Sequence, residues 1–202
     1  MARSEPGRMD EASLREGALA HMLRYGGTGA SLTRALDKRI HRWAEAMGAA
    51  EGADRETLAT QAESWRAVAR QVVESLTKLG AVNDAAFAES RARRLRRTGG
   101  SRRAVLAHLG AKGVGSETAA TAVPENETAE LAAALIFARR RRVGPYATEG
   151  GRALEPMRVM AAFGRAGFGS AVTRRVLACD RDEAEDVIRR AASGEPLADP
   201  FG

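Results

Sequence analysis

The chain has few of the residues that build disulfide frameworks, base-stacking platforms and membrane spans. Its 202 residues include one cysteine, which excludes an internal disulfide and favours a reducing, cytoplasmic location. Aromatic residues make up 4% of the chain and are scattered, which argues against a platform that stacks bases. The longest apolar run, residues 131–138, is far too short to cross a bilayer, and the N-terminus has no apolar signal region. We therefore expect a cytoplasmic protein that does not bind membranes.

A recognisable catalytic or metal-binding constellation is also lacking. The three histidines are far apart and have no neighbouring set of Cys or acidic ligands. No Ser-His-acid or Cys-His arrangement is evident, although spacing alone leaves Cys179 open as a nucleophile. The pattern Gly110-x-x-Gly113-x-Gly115 is not a phosphate loop, because the Lys-Ser/Thr pair of such loops is missing. These absences predict a non-enzymatic protein with no metal and no cofactor.

Helix-forming residues and positive charge dominate what is present. Ala, Arg, Leu and Glu are abundant and β-branched residues are few, so the expected fold class is all-α. The charge is concentrated in residues 83–114, where seven Arg and one Lys face Asp84 and Glu89. That surplus equals the formal net charge of the whole chain, +6. A basic block on an otherwise balanced protein indicates an acidic partner surface.

The same stretch predicts two helices and the turn between them. Asp84 is a suitable N-cap for the first helix, and residues 98–100 break it. Ser101 is placed to cap the second helix, and Gly113 is placed to end it in a left-handed conformation.

An internal repeat organises the second half of the chain. Residues 105–116, VLAHLGAKGVGS, recur 54 residues later as VMAAFGRAGFGS, and five of the eight patterned positions are identical. The preceding basic helix recurs at a shift of 45, so that Arg94 and Arg97 match Arg139 and Arg142. Each copy reads as a helix ending in Arg, a second helix ending in glycine, and a short third helix.

The repeat predicts three tandem units of three helices. Leu32 and Leu36 fit the roles of Val105 and Leu109, which extends the plan more loosely to the N-terminal part. Units that bury one face against their neighbours form an elongated, curved array. The predicted parts are a flexible tail at 1–11, a divergent first repeat at 12–80 with an insertion near 47–60, a second repeat at 81–124, a third repeat at 125–193, and a C-terminal tail at 194–202.

Basic helix ends at equivalent positions of two repeats predict a shared binding face. A solvated face that serves only solubility remains the alternative for either helix alone. Arginine suits phosphate or carboxylate because its planar fork makes two hydrogen bonds at once. The candidate partner-binding or DNA-binding residues are Arg91, Arg94, Arg97, Arg102, Arg103, Lys112, Arg139, Arg140, Arg141 and Arg142.

The order of helix, glycine and short helix also resembles a DNA-reading helix-turn-helix. In that fold, Arg, Lys, Asn or Gln near the start of the second helix contacts bases. The short helix at 116–123 offers an acid and alanines there, and Arg174 and Arg175 come only on the second turn of the later copy. We expect no base-specific readout, while contacts to the DNA backbone stay open.

Residues 80–88 and 109–114 resemble the central repeat of the RecX family, bacterial regulators of the RecA recombinase. The resembling pattern is a small apolar turn, an acidic pair, Phe-Ala, an Arg-rich helix, and Leu-x-x-Lys-Gly-Ile/Val. Here Asn83 stands where the first acid is usual, and Gly100-Ser101 replaces the Pro that is common after the break. The resemblance implies tandem three-helix repeats that lie along the groove of the RecA–DNA filament. It also implies slowed strand exchange and ATP hydrolysis in recombination and the SOS response.

Three functional hypotheses follow. The first is a monomeric, non-enzymatic regulator, mainly an inhibitor, of the RecA filament, as the resemblance implies. The second is a helical protein that binds single- or double-stranded DNA without sequence preference and without RecA, with affinity that falls steeply with salt. The third is a helical adaptor for another acidic protein. The residues alone leave all three open.

Overall fold

A computed structural model describes residues 9–49, 53–147 and 156–193, and within these ranges the chain forms helices and turns without any strand. The helices are α1 (Glu11–Tyr25), α2 (Gly29–Gly48), α3 (Arg55–Lys78), α4 (Asp84–Arg97), α5 (Arg102–Ala111), α6 (Ser116–Ala122), α7 (Glu127–Arg141), α8 (Pro156–Ala166), α9 (Ser170–Ala178) and α10 (Arg181–Ser193). A 3-10 turn, Gly144–Tyr146, follows α7. The predicted all-α class is confirmed.

The first of two compact units comprises the chain up to Phe87 together with Lys112–Val114. Apolar residues of α1, α2 and α3 at helical spacing form its core, and they include the fully buried Leu14, Leu32 and Ile40. Trp43 and Trp65 pack against this core, as their positions on apolar stripes predict. The core of this unit is therefore aliphatic at its centre and aromatic at its margin.

The second compact unit comprises Ala88–Ala111 and the chain from Gly115 onward. Its core is centred on α7, where the residues from Leu131 to Leu135 are all buried. Phe137 meets Phe163 edge to face, with ring centroids 4.9 Å apart, and Phe168 lies 5.6 Å from both. Aromatic pairs in such geometries stabilise a core beyond the area they bury.

Local signals set several helix ends where the sequence predicts them. Ser101 caps α5, because its Oγ accepts the backbone N–H of Ala104 at 3.1 Å. Gly113 follows α5 with φ 86°, and Gly167 follows α8 with φ 98°. These matching left-handed stops confirm that α5 and α8 end in the same way, as the internal repeat predicts.

The predicted N-cap role of Asp84 is wrong. Helix α4 begins at Asp84, and the preceding residue, Asn83, accepts the N–H of Ala86 at 2.9 Å and so acts as the cap. The carboxylate of Asp84 instead accepts the N–H of Gly29, the first residue of α2, at 2.9 Å. Asn83 can act as the N-cap because asparagine and aspartate are about equally favourable at that position.

The predicted boundaries are only partly covered by the described residues. Helix α1 begins at Glu11, the last residue of the predicted tail, because Asp10 and Ser13 form a capping box. Residues 1–8, residues 50–52 of the predicted insertion and the C-terminal tail at 194–202 lie outside the described residues. The division into three repeats and their curved arrangement stay predictions.

Candidate partner-binding site

Helix α4 separates an alanine face from an arginine face. Ala88 and Ala92 are buried, whereas Arg93, Arg94 and Arg97 are exposed. Arg93 is held by Glu89 one turn earlier, with a separation of 3.6 Å between Nη1 and Oε2. Small residues therefore occupy the buried face of α4, while its long cationic side chains lie on the exposed face.

Arg94 and Arg97 are the two cations of α4 that serve no internal contact in the described ranges. Within the described part of the chain, neither makes a hydrogen bond or an ion pair. Both lie in the last turn of α4, where the terminal carbonyl groups form the negative end of the helix dipole. The dipole stabilises these charges and leaves their guanidinium groups able to bind an external anion.

Arg140 of α7 extends this surface. Its Nη1 donates to the carbonyl oxygen of Thr98, the residue after Arg97, at 2.6 Å. Gly99, with φ 83°, makes the approach possible, since a Cβ on it would lie only 2.8 Å from the backbone nitrogen of Phe137. The two predicted basic helix ends therefore meet at this turn. We call Arg94, Arg97 and Arg140 the cationic patch.

Other basic residues at the end of α7 have partners within the protein. Arg139 pairs with Glu185 of α10 at 3.2 Å, and the same carboxylate accepts the hydroxyl of Tyr146 at 2.9 Å. Burial and the hydrogen bond to Glu185 raise the pKa of Tyr146 to about 12. Arg141 lies over the ring of Phe137, with 5.3 Å between Cζ and the centroid. Arg139 is thus ion-paired within the fold, and an external ligand would compete with Glu185 for its donors.

Arg142 ends α7 in a left-handed conformation, with φ 55°. Its side chain is exposed, as is that of Arg141. Glycine usually occupies a left-handed position at a helix end, so the backbone of Arg142 is strained where the basic run ends.

The predicted residues around α5 also make contacts within their own unit. Arg91 donates its Nε–H to Nε2 of His108 at 3.0 Å. Arg102 donates to the carbonyl of Val123 at 2.9 Å, and Arg103 donates to the carbonyl of Gly164 at 2.6 Å. These guanidinium groups hold helices together, so an external ligand would have to compete for their donors.

Lys112 differs from these arginines because the fold uses its backbone and leaves its ammonium group exposed. Its carbonyl accepts hydrogen bonds from the hydroxyl of Thr28 at 2.7 Å and from Arg34 at 3.2 Å. Lys112 therefore remains a candidate cation for partner binding.

The largely buried carboxylate of Glu130, which the sequence pattern does not identify, contacts the end of α4 and the start of α5. Glu130 of α7 pairs with Arg96 and accepts the backbone N–H of Arg102 at 3.0 Å. The side chains of Arg96 and Glu130 are each 18% exposed. Arg96 belongs to the same basic run as Arg94 and Arg97, and the tertiary fold shows that it points inward. Its spacing of four residues from the buried Ala92 places Arg96 on the alanine face of α4, a signal that the charge of the basic run concealed.

The chemistry available at the surface is anion binding. Among the described residues, no group of His, Cys, Asp and Glu is placed to hold a metal ion. Burial raises the pKa of the Cys179 thiol, which disfavours the thiolate that a nucleophile requires. None of the helices in the described ranges has both the length and the apolar character needed to traverse a bilayer.

Comparisons with known proteins agree with the resemblance in the basic stretch. Residues 83–123 match a sequence model described as "RecX, second three-helix domain". A protein named Regulatory protein RecX from Myxococcus xanthus (strain DK1622) is 33% identical over 175 residues, covering 85% of this chain and 88% of the relative. Another Regulatory protein RecX, from Agrobacterium fabrum, is 40% identical over 116 residues, covering 55% of this chain and 59% of the relative. No solved structure matches the chain.

Proposed function

This chain belongs to the RecX family, and we propose that it regulates the RecA recombinase by binding the RecA–DNA filament. In this proposal it lies in the filament groove as a monomer and acts mainly as an inhibitor. Binding there slows ATP hydrolysis and strand exchange in recombination and the SOS response. The protein has no catalytic step of its own in this mechanism, because contacts with the filament alone shift the recombinase toward a less active state.

The cationic patch is the observation that supports this proposal most directly. Arg94 and Arg97 are exposed and lack partners in the described ranges, and Arg140 joins them at the α4–α5 turn. A RecA–DNA filament offers carboxylates and phosphates, and both accept the paired N–H groups of a guanidinium. Arg141 and Arg142 add exposed charge next to Arg140 in the sequence, and Lys112 is a further exposed cation. Several modest contacts of this kind supply affinity by summation.

The first test is ATP hydrolysis by RecA on single-stranded DNA, titrated with this protein while the DNA is in large excess. We expect inhibition at amounts too small to cover the DNA, because each bound molecule acts on the filament. Unchanged hydrolysis, or inhibition only when the DNA is saturated, would contradict action on the filament.

A charge-reversed variant tests the patch itself. Replacing Arg94 and Arg97 with glutamate should weaken inhibition at least tenfold, because negative charges then face the partner's acids. A tenfold change corresponds to roughly 1.4 kcal/mol of binding free energy. The matched control replaces Arg15 and Arg55, exposed residues of α1 and α3, with glutamate and changes the net charge equally. Equal loss in both variants would indicate a general charge effect. Loss of helical circular dichroism in the first variant alone would make its arginines structural.

DNA binding without RecA is the second candidate function. The exposed arginines and a pI of about 10.3 favour it, since phosphate binding needs no further chemistry. It predicts tight binding to bare DNA, with log K falling by about 0.9 per log unit of salt for each phosphate contact on duplex DNA. Fluorescence anisotropy with labelled DNA at several salt concentrations measures that slope. Weak binding to bare DNA by a protein that inhibits RecA would exclude this candidate.

A further inference from the structure

A buried hydroxyl at the start of α2 contacts a carbonyl far away in the chain. Thr28 is 0% exposed, and its Oγ1 accepts the N–H of Ser31 at 3.1 Å as an ordinary N-cap does. The same hydroxyl donates to the carbonyl oxygen of Lys112, at the end of α5, at 2.7 Å. Its two functions are thus a local cap and a tertiary contact.

The start of α5 repeats this arrangement with a different pair of helices. Ser101 is also 0% exposed, and its Oγ accepts the N–H of Ala104 at 3.1 Å. It donates to the carbonyl oxygen of Ala166, the last residue of α8, at 2.7 Å. The hydroxyl lies four residues before the first buried apolar residue in both helices, Leu32 in α2 and Val105 in α5. The two contacts are therefore equivalent in register.

The carbonyl that accepts each hydroxyl precedes a left-handed glycine. Lys112 precedes Gly113, and Ala166 precedes Gly167. A Cβ on Gly113 would lie 2.3 Å from the Cβ of Ala30, and a Cβ on Gly167 would lie 2.2 Å from the Oγ of Ser101. Helix termination explains the positive φ angles, but it does not explain this close approach. Only glycine lets the neighbouring helix start come so near.

An acid from the following basic helix completes each arrangement. Gly29, the first residue of α2, donates its N–H to Asp84 at 2.9 Å. Arg102, the first residue of α5, donates its N–H to Glu130 at 3.0 Å. The first N–H groups of a helix have no partner within it, so these carboxylates satisfy them and interact favourably with the helix dipole.

We propose that these contacts form a repeated joint that sets the register of a helix start against an acid and a left-handed glycine from later in the chain, within one compact unit each time. Each joint consists of a hydroxyl cap, the N–H that follows it, an acid and a left-handed glycine. Their members are Thr28, Gly29, Asp84 and Gly113 in the first joint, and Ser101, Arg102, Glu130 and Gly167 in the second. The first joint lies wholly within the first unit, and the second joint lies wholly within the second unit. It is independent of any partner and so stands apart from the proposed function.

The series of joints ends in the third repeat. Helix α8, which corresponds to α2 and α5 in the internal repeat, begins at Pro156. Proline has no N–H, so α8 cannot donate to an acid as Gly29 and Arg102 do. Helix α8 therefore lacks the backbone donor that a third joint of this kind would require.

A double-mutant cycle tests the second joint. Ser101→Gly keeps most of the capping propensity, because glycine is an acceptable N-cap. It should nevertheless lower the folding equilibrium constant about tenfold, since the partly buried carbonyl of Ala166 loses its donor. Gly167→Ala should cost more than that in the parent and distinctly less in the Ser101→Gly background, where no Oγ meets the new Cβ. If denaturant titrations show additive changes in the free energy of unfolding, the two residues are not coupled and the proposed joint is wrong.

Two glycine controls separate the joint from simpler explanations. Gly80 has φ 73° with no atom within 4 Å of an added Cβ, so Gly80→Ala measures backbone strain alone. A Cβ added to Gly164 also has no atom within 4 Å, so Gly164→Ala measures the effect of a methyl group on α8. Gly167→Ala should exceed both in cost. A cost equal to that of Gly80→Ala would reduce Gly167 to a helix stop.

A distance measurement tests register in variants that remain folded. Spin labels at Glu117→Cys on α6 and Arg174→Cys on α9, in a Cys179→Ser background, lie on exposed positions of consecutive repeats. We expect a narrow distance distribution in the parent, a broader or shifted one with Ser101→Gly, and the parental one with Ser101→Thr, which keeps the hydroxyl. An unchanged distribution with Ser101→Gly would refute a role in register.

Discussion

Removal of the Glu130 carboxylate should destabilise the second unit far more than removal of any exposed acid on the same helix. Glu130 pairs with Arg96 and accepts the N–H of Arg102, and its side chain is 18% exposed. Glu130→Ala removes the counter-ion of the largely buried Arg96 guanidinium, which keeps only the carbonyl of Gly100 at 3.2 Å, and leaves the N–H of Arg102 without an acceptor. Breaking a fully buried pair costs about 3–5 kcal/mol, and the residual exposure lowers the expected loss to about 2–4 kcal/mol.

Glu127, three residues earlier on α7, is the matched control. It pairs with Arg175 at 3.9 Å, but its side chain is 95% exposed, so Glu127→Ala should cost less than about 1 kcal/mol. Urea titrations followed by far-UV circular dichroism measure both losses, with equal m-values required for the comparison. A loss for Glu130→Ala that is no larger than that for Glu127→Ala would refute the structural role of this pair.

Two further predictions concern the second unit. Phe163→Ala should lower the free energy of unfolding by about 3–5 kcal/mol, because its ring is fully buried between Phe137 and Phe168. Calorimetry measures this loss, and it should show almost no change for the control Met157→Ala, whose side chain is 77% exposed. The pKa of Tyr146 is raised from 10.0 to about 12, so the folded state holds this proton longer than the unfolded state and stability should fall as pH rises between these values. In a Tyr25→Phe background, ultraviolet absorbance should show Tyr146 ionising near pH 12. A pKa at the ordinary value of 10.0 would show that Tyr146 is neither buried nor hydrogen-bonded to Glu185 in solution.

Local signals explain what the sequence predicts well. The cap at Ser101 and the stops at Gly113 and Gly167 depend on a few neighbouring residues, and the structure has all three. Asp10 and Ser13 form an equally local capping box, yet the absence of an apolar stripe before Leu14 hides the start of α1. Composition and periodicity suffice for the fold class because the described elements are all helical and most of the α-helices have one apolar face.

Tertiary partners explain what the sequence could not supply. Arg94 and Arg96 lie two positions apart in one basic run, and one is exposed whereas the other pairs with Glu130. The acceptor of Arg139, Glu185, is 46 residues away along the chain. A charge pattern cannot show which arginines meet an internal acceptor, so the predicted set contains arginines with such an acceptor as well as arginines without one.

The placement of the two tryptophans makes the protein its own optical reporter. Trp43 and Trp65 pack against the core of the first unit, and no tryptophan occurs in the second unit's sequence. Intrinsic fluorescence excited at the indole band therefore reports on one unit, whereas circular dichroism reports on the helices of both. If the two signals lose their native values at different denaturant concentrations, the units unfold separately; if they coincide, the chain unfolds as one cooperative system. The thermodynamic independence of the units can thus be measured on the unlabelled protein.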